Sequence, residues 1–147
     1  MIMTKQTQQS RRPGLAEELR TSIARLSRRL RAQGSSRLSV TQFAALAALV
    51  RHESMTPSEL ADHEKVQPPS MTRVVAFLED QGLVTRMPHP TDRRQVVLTP
   101  TGHGREVVQA ERRAKRAWLD VQLATLTPQE RAILRQAAPI LERLSRA

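Results

Sequence analysis

The sequence predicts a mainly α-helical fold that carries one small β-hairpin. Alanine, leucine and arginine dominate the 147 residues, and the aromatic residues are only Trp118, Phe43 and Phe77, a composition that favours helices. Apolar residues recur at helical spacing in several segments, each opened by a recognisable cap. Between them, two short β-prone runs, Leu83–Met87 and Gln95–Leu98, flank Pro88, His89, Pro90, Thr91, Asp92, Arg93 and Arg94. Those tip residues cannot form a core, but they can form a solvent-exposed hairpin end that carries two guanidinium groups.

Residues 1–12 are polar and aperiodic and are expected to be a disordered tail. A long first helix follows, because Leu15, Leu19, Ile23, Leu26 and Leu30 fall at steps of three and four and make one narrow apolar stripe. Gln33-Gly34-Ser35-Ser36 ends it. Ser39-Val40-Thr41-Gln42 is a capping box for a second helix that buries Phe43, Leu46, Ala47 and Val50. Thr56-Pro57-Ser58-Glu59 opens a short third helix to about His63. Pro68-Pro69 fits only a first turn, so a fourth helix starts there and runs to Gln81, where Gly82 supplies a left-handed stop.

After the hairpin, Thr99 is expected as the cap of a fifth helix with Pro100 at its first position. That helix carries Val107, Val108, Ala114, Trp118 and Val121, and Gly102 and Gly104 weaken its first turn. Thr127-Pro128-Gln129-Glu130 caps a sixth helix with Ile133, Leu134, Ala137, Ile140, Leu141 and Leu144 on one side, and Pro139 is expected to kink it. The order is helix, helix, helix-turn-helix, hairpin, helix, helix, which is the layout of a winged helix-turn-helix with long terminal helices. The domain reading is a tail over 1–12, a winged DNA-binding lobe over 38–100, and a helical dimerisation region over 13–37 and 101–147. The central unit closes a small core of its own, so the stripes of the terminal helices need a partner: they can pack on one another, and their length favours a second copy of the chain.

At about 100° per residue, Met71, Val74, Val75 and Leu78 share the inner side of the fourth helix. Pro69, Thr72, Arg73 and Ala76 lie opposite, with Ser70 at the edge. Such a small, polar face suits a major groove about 12 Å wide, and the helix start is expected to offer free N–H groups to a phosphate. In the hairpin tip one arginine can enter a minor groove, while the other arginine or Asp92 braces the loop.

The formal net charge of +10 suggests a polyanionic partner. Its distribution is uneven. Residues 1–37 hold nine basic and two acidic side chains, residues 38–100 six and seven, and residues 101–147 nine and five. The segment expected to touch DNA is therefore not itself basic, and a few placed arginines must carry recognition. Without cysteine, disulfides, thiolate metal sites and cysteine redox sensing are excluded. His52, His63, His89 and His103 show no ligand spacing, so no metal and no cofactor are expected. No Gly-rich phosphate loop, nucleophile elbow or carboxylate pair is present, and no enzymatic activity is expected. No apolar run approaches a membrane span and the N-terminus has no signal-peptide core, which reads as a soluble cytoplasmic protein.

The series Pro69-Ser70-Met71-Thr72-Arg73-Val74-Val75, Gly82-Leu83-Val84-Thr85-Arg86, Asp92-Arg93-Arg94 and Leu98-Thr99-Pro100-Thr101-Gly102 resembles the MarR family of bacterial transcriptional regulators, over roughly residues 15–146. The resemblance implies a homodimer joined by the first, fifth and sixth helices, with Leu15, Leu19, Ile23, Ile140, Leu141 and Leu144 as dimerisation residues. It implies a recognition helix at about 68–81 and a wing at about 84–98. Pro69, Ser70, Thr72, Arg73, Arg86, Asp92, Arg93 and Arg94 are then the DNA-binding residues. Arg73 matches the recognition-helix arginine, Arg86 a phosphate contact at the wing base, and Arg94 a minor-groove arginine held by Asp92. Such a dimer sits on a near-palindromic operator, with its heads about 34 Å apart, and represses by default. Family members are often released by small amphipathic ligands, commonly aromatic acids; no ligand residues belong to the shared motif. The alternatives are a winged-helix dimer acting as a protein adaptor and a nonspecific DNA-coating protein.

Overall fold

Six helices and one two-stranded antiparallel sheet make up the computed structural model, which describes residues 12–147. They run α1 (Leu15–Ala32), α2 (Val40–His52), α3 (Pro57–Glu64), α4 (Pro68–Asp80), β1 (Val84–Pro88), β2 (Val96–Pro100), α5 (Gly102–Ala124) and α6 (Pro128–Ser145). Apart from Arg12, the expected tail over 1–12 lies outside the described residues. The chain divides into two compact units, Met1–Ala32 and Gln33–Ala147. In the first unit, α1 buries none of its side chains, and its Leu15, Ile23 and Leu26 are exposed.

All three expected capping boxes form. Ser39 Oγ accepts from the Gln42 N–H at 3.1 Å while Gln42 Oε1 accepts from the Ser39 N–H at 2.9 Å. Thr56 with Glu59 and Thr127 with Glu130 repeat the reciprocal pair. Each box satisfies two backbone donors that a helix start otherwise leaves unpaired.

The core of the second unit gathers Leu46 and Leu49 of α2, Leu60 of α3, Met71, Val75 and Leu78 of α4, Leu98 of β2 and Val108 of α5, all almost fully buried. The inner face expected for α4 is therefore the observed one, with Val74 partly buried beside it. The hairpin pairs Val84 with Pro100, Arg86 with Leu98 and Pro88 with Val96. Its base is fixed to the helices through Met55, whose N–H donates to the Leu98 carbonyl at 3.2 Å and whose carbonyl accepts from the Leu98 N–H at 2.7 Å.

One expectation is corrected at the end of the hairpin. Pro100 is the last residue of β2, and Thr101, not Thr99, caps α5. The strand extends because Pro100, which has no N–H to donate, can still pair opposite Val84 at a sheet end. Thr101 then does three things. Its Oγ1 accepts from the Gly104 N–H at 3.0 Å and donates to the Gly82 carbonyl at 2.7 Å, and its N–H donates to the Leu83 carbonyl at 3.0 Å. Gly82 holds the left-handed backbone (φ 69°) expected of it. Gly104 is buried against this junction, and a Cβ there would strike the Leu83 carbonyl oxygen. The glycine that weakens the first turn in sequence terms is what lets α5 approach. Because α5 starts by packing on the lobe through Gly104 and Val108, the core extends past residue 100. The sixth helix continues through Pro139.

A buried carboxylate ties the segment between α1 and α2 to α5. Glu111, 5% exposed, accepts from the Ser36 N–H through Oε2 at 2.9 Å. Lys115 Nζ lies 3.3 Å from its Oε1 and 4.4 Å from the centroid of the Phe43 ring. Gly34 leaves the space the carboxylate fills. Burial pushes the Glu111 carboxyl up, but the Ser36 N–H and hydroxyl together with the Lys115 ammonium outweigh it and hold the group below its ordinary value.

Two outcomes are expected. Gly104→Ala should destabilise the fold by about 1–3 kcal/mol in chemical denaturation, although alanine is the better helix former, because the added methyl overpacks a backbone contact. The stabilisation linked to ionised Glu111 should be fully present at neutral pH and should fade as pH falls through and below the ordinary carboxylate value of about 4.3. Glu111→Gln should flatten that part of the stability profile, measured by urea melts across the acid range.

Candidate nucleic-acid interface

The outward side of α4 and the hairpin tip present the side chains singled out from sequence. Pro69, Ser70, Thr72, Arg73 and Ala76 are all exposed on α4, while Met71, Val75 and Leu78 anchor the helix from beneath. The start of α4 differs from expectation. Gln67 makes no side-chain cap, and Pro68 and Pro69 occupy the first positions. Proline has no N–H, and the Met71 N–H is already bonded to the Gln67 carbonyl. The first turn therefore offers one amide, that of Ser70, rather than the set a helix start usually presents. Thr72 Oγ1 donates to the Pro68 carbonyl at 2.9 Å. Its hydroxyl hydrogen is thus engaged, and outward it presents an acceptor and a methyl group. An acceptor suits an exocyclic amino group in the major groove, and a methyl suits thymine.

The tip is built by its own side chains. Asp92 Oδ1 accepts from the Arg94 N–H at 3.0 Å, and Oδ2 accepts from Gln95 Nε2 at 3.1 Å. His89 Nδ1 accepts from the N–H groups of Thr91 at 3.2 Å and Asp92 at 3.1 Å. The His89 N–H donates to the Gln95 carbonyl at 3.2 Å, which closes the turn. Arg94 Nε lies 3.7 Å from Asp92 Oδ1, yet its side chain is 94% exposed. The carboxylate fixes the backbone that aims Arg94 while leaving most of the guanidinium free. Arg93 is exposed beside it.

Arg86 has a closer partner than solvent. Its Nε donates to Glu79 Oε1 of α4 at 2.7 Å. This ion pair joins strand β1 to the last turn of α4 and leaves the two terminal amino groups of the guanidinium for another acceptor. The sequence assigns no binding or bracing role to Glu79 or Gln95, and none to His89 beyond its place in the tip. The Asp92-x-Arg94 spacing signals an Asx-type turn, whereas nothing in a single sequence announces that His89 accepts two backbone bonds.

Elsewhere, His52 and His63 meet edge to face with ring centroids 5.0 Å apart, and His63 Nδ1 lies 3.1 Å from Glu64 Oε1. Among the described residues no group of three or more His, Cys, Asp or Glu side chains converges as a metal site needs. Trp118 is partly buried on α5, outside the buried core. A cavity of about 180 Å³ opens between α2, α3 and α5, floored by Ala44, Ala47 and Ala48 and edged by Arg51, Arg112, His63 and Glu64. No helix among the described residues is long and apolar enough to cross a membrane.

The sequence model of the MarR family matches residues 38–96, the stretch from the start of α2 into β2. An HTH-type transcriptional regulator of Mycobacterium tuberculosis is 49% identical over 128 residues, covering 86% of this chain and 90% of the relative. The HTH-type transcriptional repressor MdtR of Bacillus subtilis is 31% identical over 106 residues, covering 72% of this chain and 66% of that protein. A mutant form of MarR from Escherichia coli superposes with a TM-score of 0.77 over 90% of this chain and 98% of its own; at 23% identity it shares the fold.

The tip geometry predicts the effect of Asp92→Ala. Loss of the acceptor should raise amide hydrogen exchange at Arg94 about fivefold, the equivalent of one hydrogen bond of about 1 kcal/mol, with the melting temperature of the lobe unchanged.

Proposed function

Because the chain belongs to the MarR family, whose members are DNA-binding transcriptional regulators, we propose that it works as a homodimeric repressor in the cytoplasm, on a near-palindromic operator. One observation carries this reading. An exposed helix face of small and polar side chains, with Arg73 at its middle, stands beside a self-braced tip that holds out Arg93 and Arg94. In the proposed complex α4 enters the major groove, where Ser70, Thr72 and Arg73 meet base edges and Pro69 packs against the groove wall. Arg94 enters the adjacent minor groove, where negative potential favours a guanidinium. Arg93 and the free end of Arg86 meet phosphates, and the Arg86–Glu79 pair keeps the wing at a fixed angle to the reading helix.

Exposed apolar surface supports the dimer. Leu15, Ile23 and Leu26 on α1 are exposed, and so are Val121 of α5 and Ile133, Leu134, Ile140, Leu141 and Leu144 of α6. Leu19 is partly exposed in the same stripe of α1. Monomeric proteins rarely leave so much apolar surface in water. The name of the Bacillus subtilis relative supports repression over activation. As effector we propose a small amphipathic acid in the cavity between α2, α3 and α5, where Arg51 and Arg112 would take the carboxylate and the alanine floor its apolar part. The volume is below that of a drug-sized site, so a one-ring molecule is the fitting size.

The test is selection of bound duplexes from a random pool, followed by titration of the winner. The expected result is a site with two related halves bound about 10³-fold or more over random DNA. Equal, weak binding to every duplex would instead mark a nonspecific coating protein, and no binding would mark a protein adaptor. On the selected site, Arg94→Ala should weaken binding with no change in melting temperature, and Arg73→Ala should cost about 1–3 kcal/mol with relaxed preference at one base position. Replacing Leu19 and Ile23 together by Glu should give monomers on size-exclusion chromatography that no longer bind the two-part site tightly.

A further inference from the structure

We propose that Glu111 is a positioning residue for DNA binding: by pinning the Gln33–Leu38 segment to α5, it sets the half-site spacing that the dimer accepts. The inference rests on the dimeric, two-site reading above and goes beyond it by naming a residue that is neither one of the proposed DNA contacts nor one of the proposed dimerisation residues.

The chemistry at Glu111 is unusual for a residue with only a packing role. A carboxylate exposed to 5% costs several kcal/mol in lost solvation unless it is fully paired. Packing alone would be served as well by an apolar pair in place of both Glu111 and Lys115, since such a whole-pair exchange is often neutral or stabilising. What the carboxylate supplies is direction. One oxygen accepts from a main-chain N–H, that of Ser36, at 2.9 Å. The other oxygen is held by Lys115 at 3.3 Å, and that ammonium is itself seated 4.4 Å from the centre of the Phe43 ring on α2. At Gly34 the chain passes so close that any Cβ would overlap the carboxylate. Three parts of the second unit thus converge on one charge: the segment entering α2, the first turn of α2, and the middle of α5.

The pinned segment is the covalent path from α1 into the reading lobe. In the proposed dimer α1 and α6 belong to the shared helical base, and α4 and the wing belong to the head. That segment and α5 are the two covalent paths between head and base, and within the second unit Glu111 ties the one to the other. Two heads reading half-sites one helical turn apart tolerate little error in that distance. A flexible joint would let them read several spacings, each less tightly, because ordering the joint would be charged to every binding event.

The experiment uses the full-length dimer and the duplex chosen by selection. Fluorescence anisotropy compares the selected duplex, the same halves moved apart or together by one base pair, and a short duplex with a single half. The proteins are wild type, Glu111→Ala, Glu111→Asp, Glu111→Gln, Gly34→Ala and the Glu111→Ala/Gly34→Ala double variant. Asp retains the charge but is too short to reach Ser36. Gln retains an acceptor for the Ser36 N–H. The Ala and Asp variants and Gly34→Ala should lose about tenfold on the selected duplex and under about twofold on the single half. They should also bind the three spacings with nearly equal affinity, while Glu111→Gln keeps the wild-type spacing profile. The double variant should be no worse than the weaker single variant, since both changes break one contact. An unchanged spacing profile in the variants, or an equal loss on single and paired halves, overturns the inference. If Glu111→Ala does not fold, the Asp and Gly34→Ala variants decide by the same readouts. Wild-type protein that shows no preference for paired halves would instead overturn the dimeric two-site reading, which separates the two failures.

Discussion

The junction at Thr101 is the constraint on which the candidate interface depends. One hydroxyl caps α5 through Gly104 and bonds the Gly82 carbonyl at the end of α4, while the same residue's N–H bonds the Leu83 carbonyl at the root of the hairpin. The end of α4, the root of the hairpin and the start of α5 therefore share one crossing point. Bare glycine at 104 is what allows the backbones to meet there. The Met55–Leu98 bridge holds the opposite side of the wing base, and the Arg86–Glu79 pair closes the gap between wing and helix. With three separate ties, the hairpin behaves as a fixed extension of the helical core and not as a loop.

Fixed placement is what the proposed function needs from a lobe whose formal charge is near −1. Its arginines need not act by number. Asp92, which would repel DNA if free, spends both oxygens on the backbone of the tip and on Gln95. Its negative charge lies behind Arg94, whose guanidinium stands clear in solvent. The excess of basic groups resides in the terminal segments, where in the proposed complex it would add long-range attraction without selecting a sequence.

Much of this was legible in the chain. The three capping boxes, the left-handed Gly82 and the inner face of α4 follow from local chemistry, and they stand as expected because a helix start or stop is decided by side chains three or four residues apart. The hairpin was visible, but its register was not: a strand ends where its partner ends, and Pro100 opposite Val84 fixed the boundary two residues beyond the expected cap. The exposed positions of Pro69, Ser70, Thr72 and Arg73 followed from periodicity, whereas the engaged hydroxyl of Thr72 and the missing amides at Pro68 and Pro69 alter which groups that face can offer. Least legible were Glu111 and His89. Glu111 finds Ser36 across 75 residues of sequence, and no local pattern foretells such a contact.

The two prolines that open α4 carry one more consequence. Their rings hold the first turn in helical geometry before any duplex arrives, and the tip beyond it is closed by its own hydrogen bonds. The ordering entropy that many nucleic-acid readers surrender at the moment of contact is here spent during folding. In the proposed complex, docking then resembles the meeting of two finished shapes, and its heat-capacity change should report buried surface alone, with no hidden share from a segment that gains structure along the way.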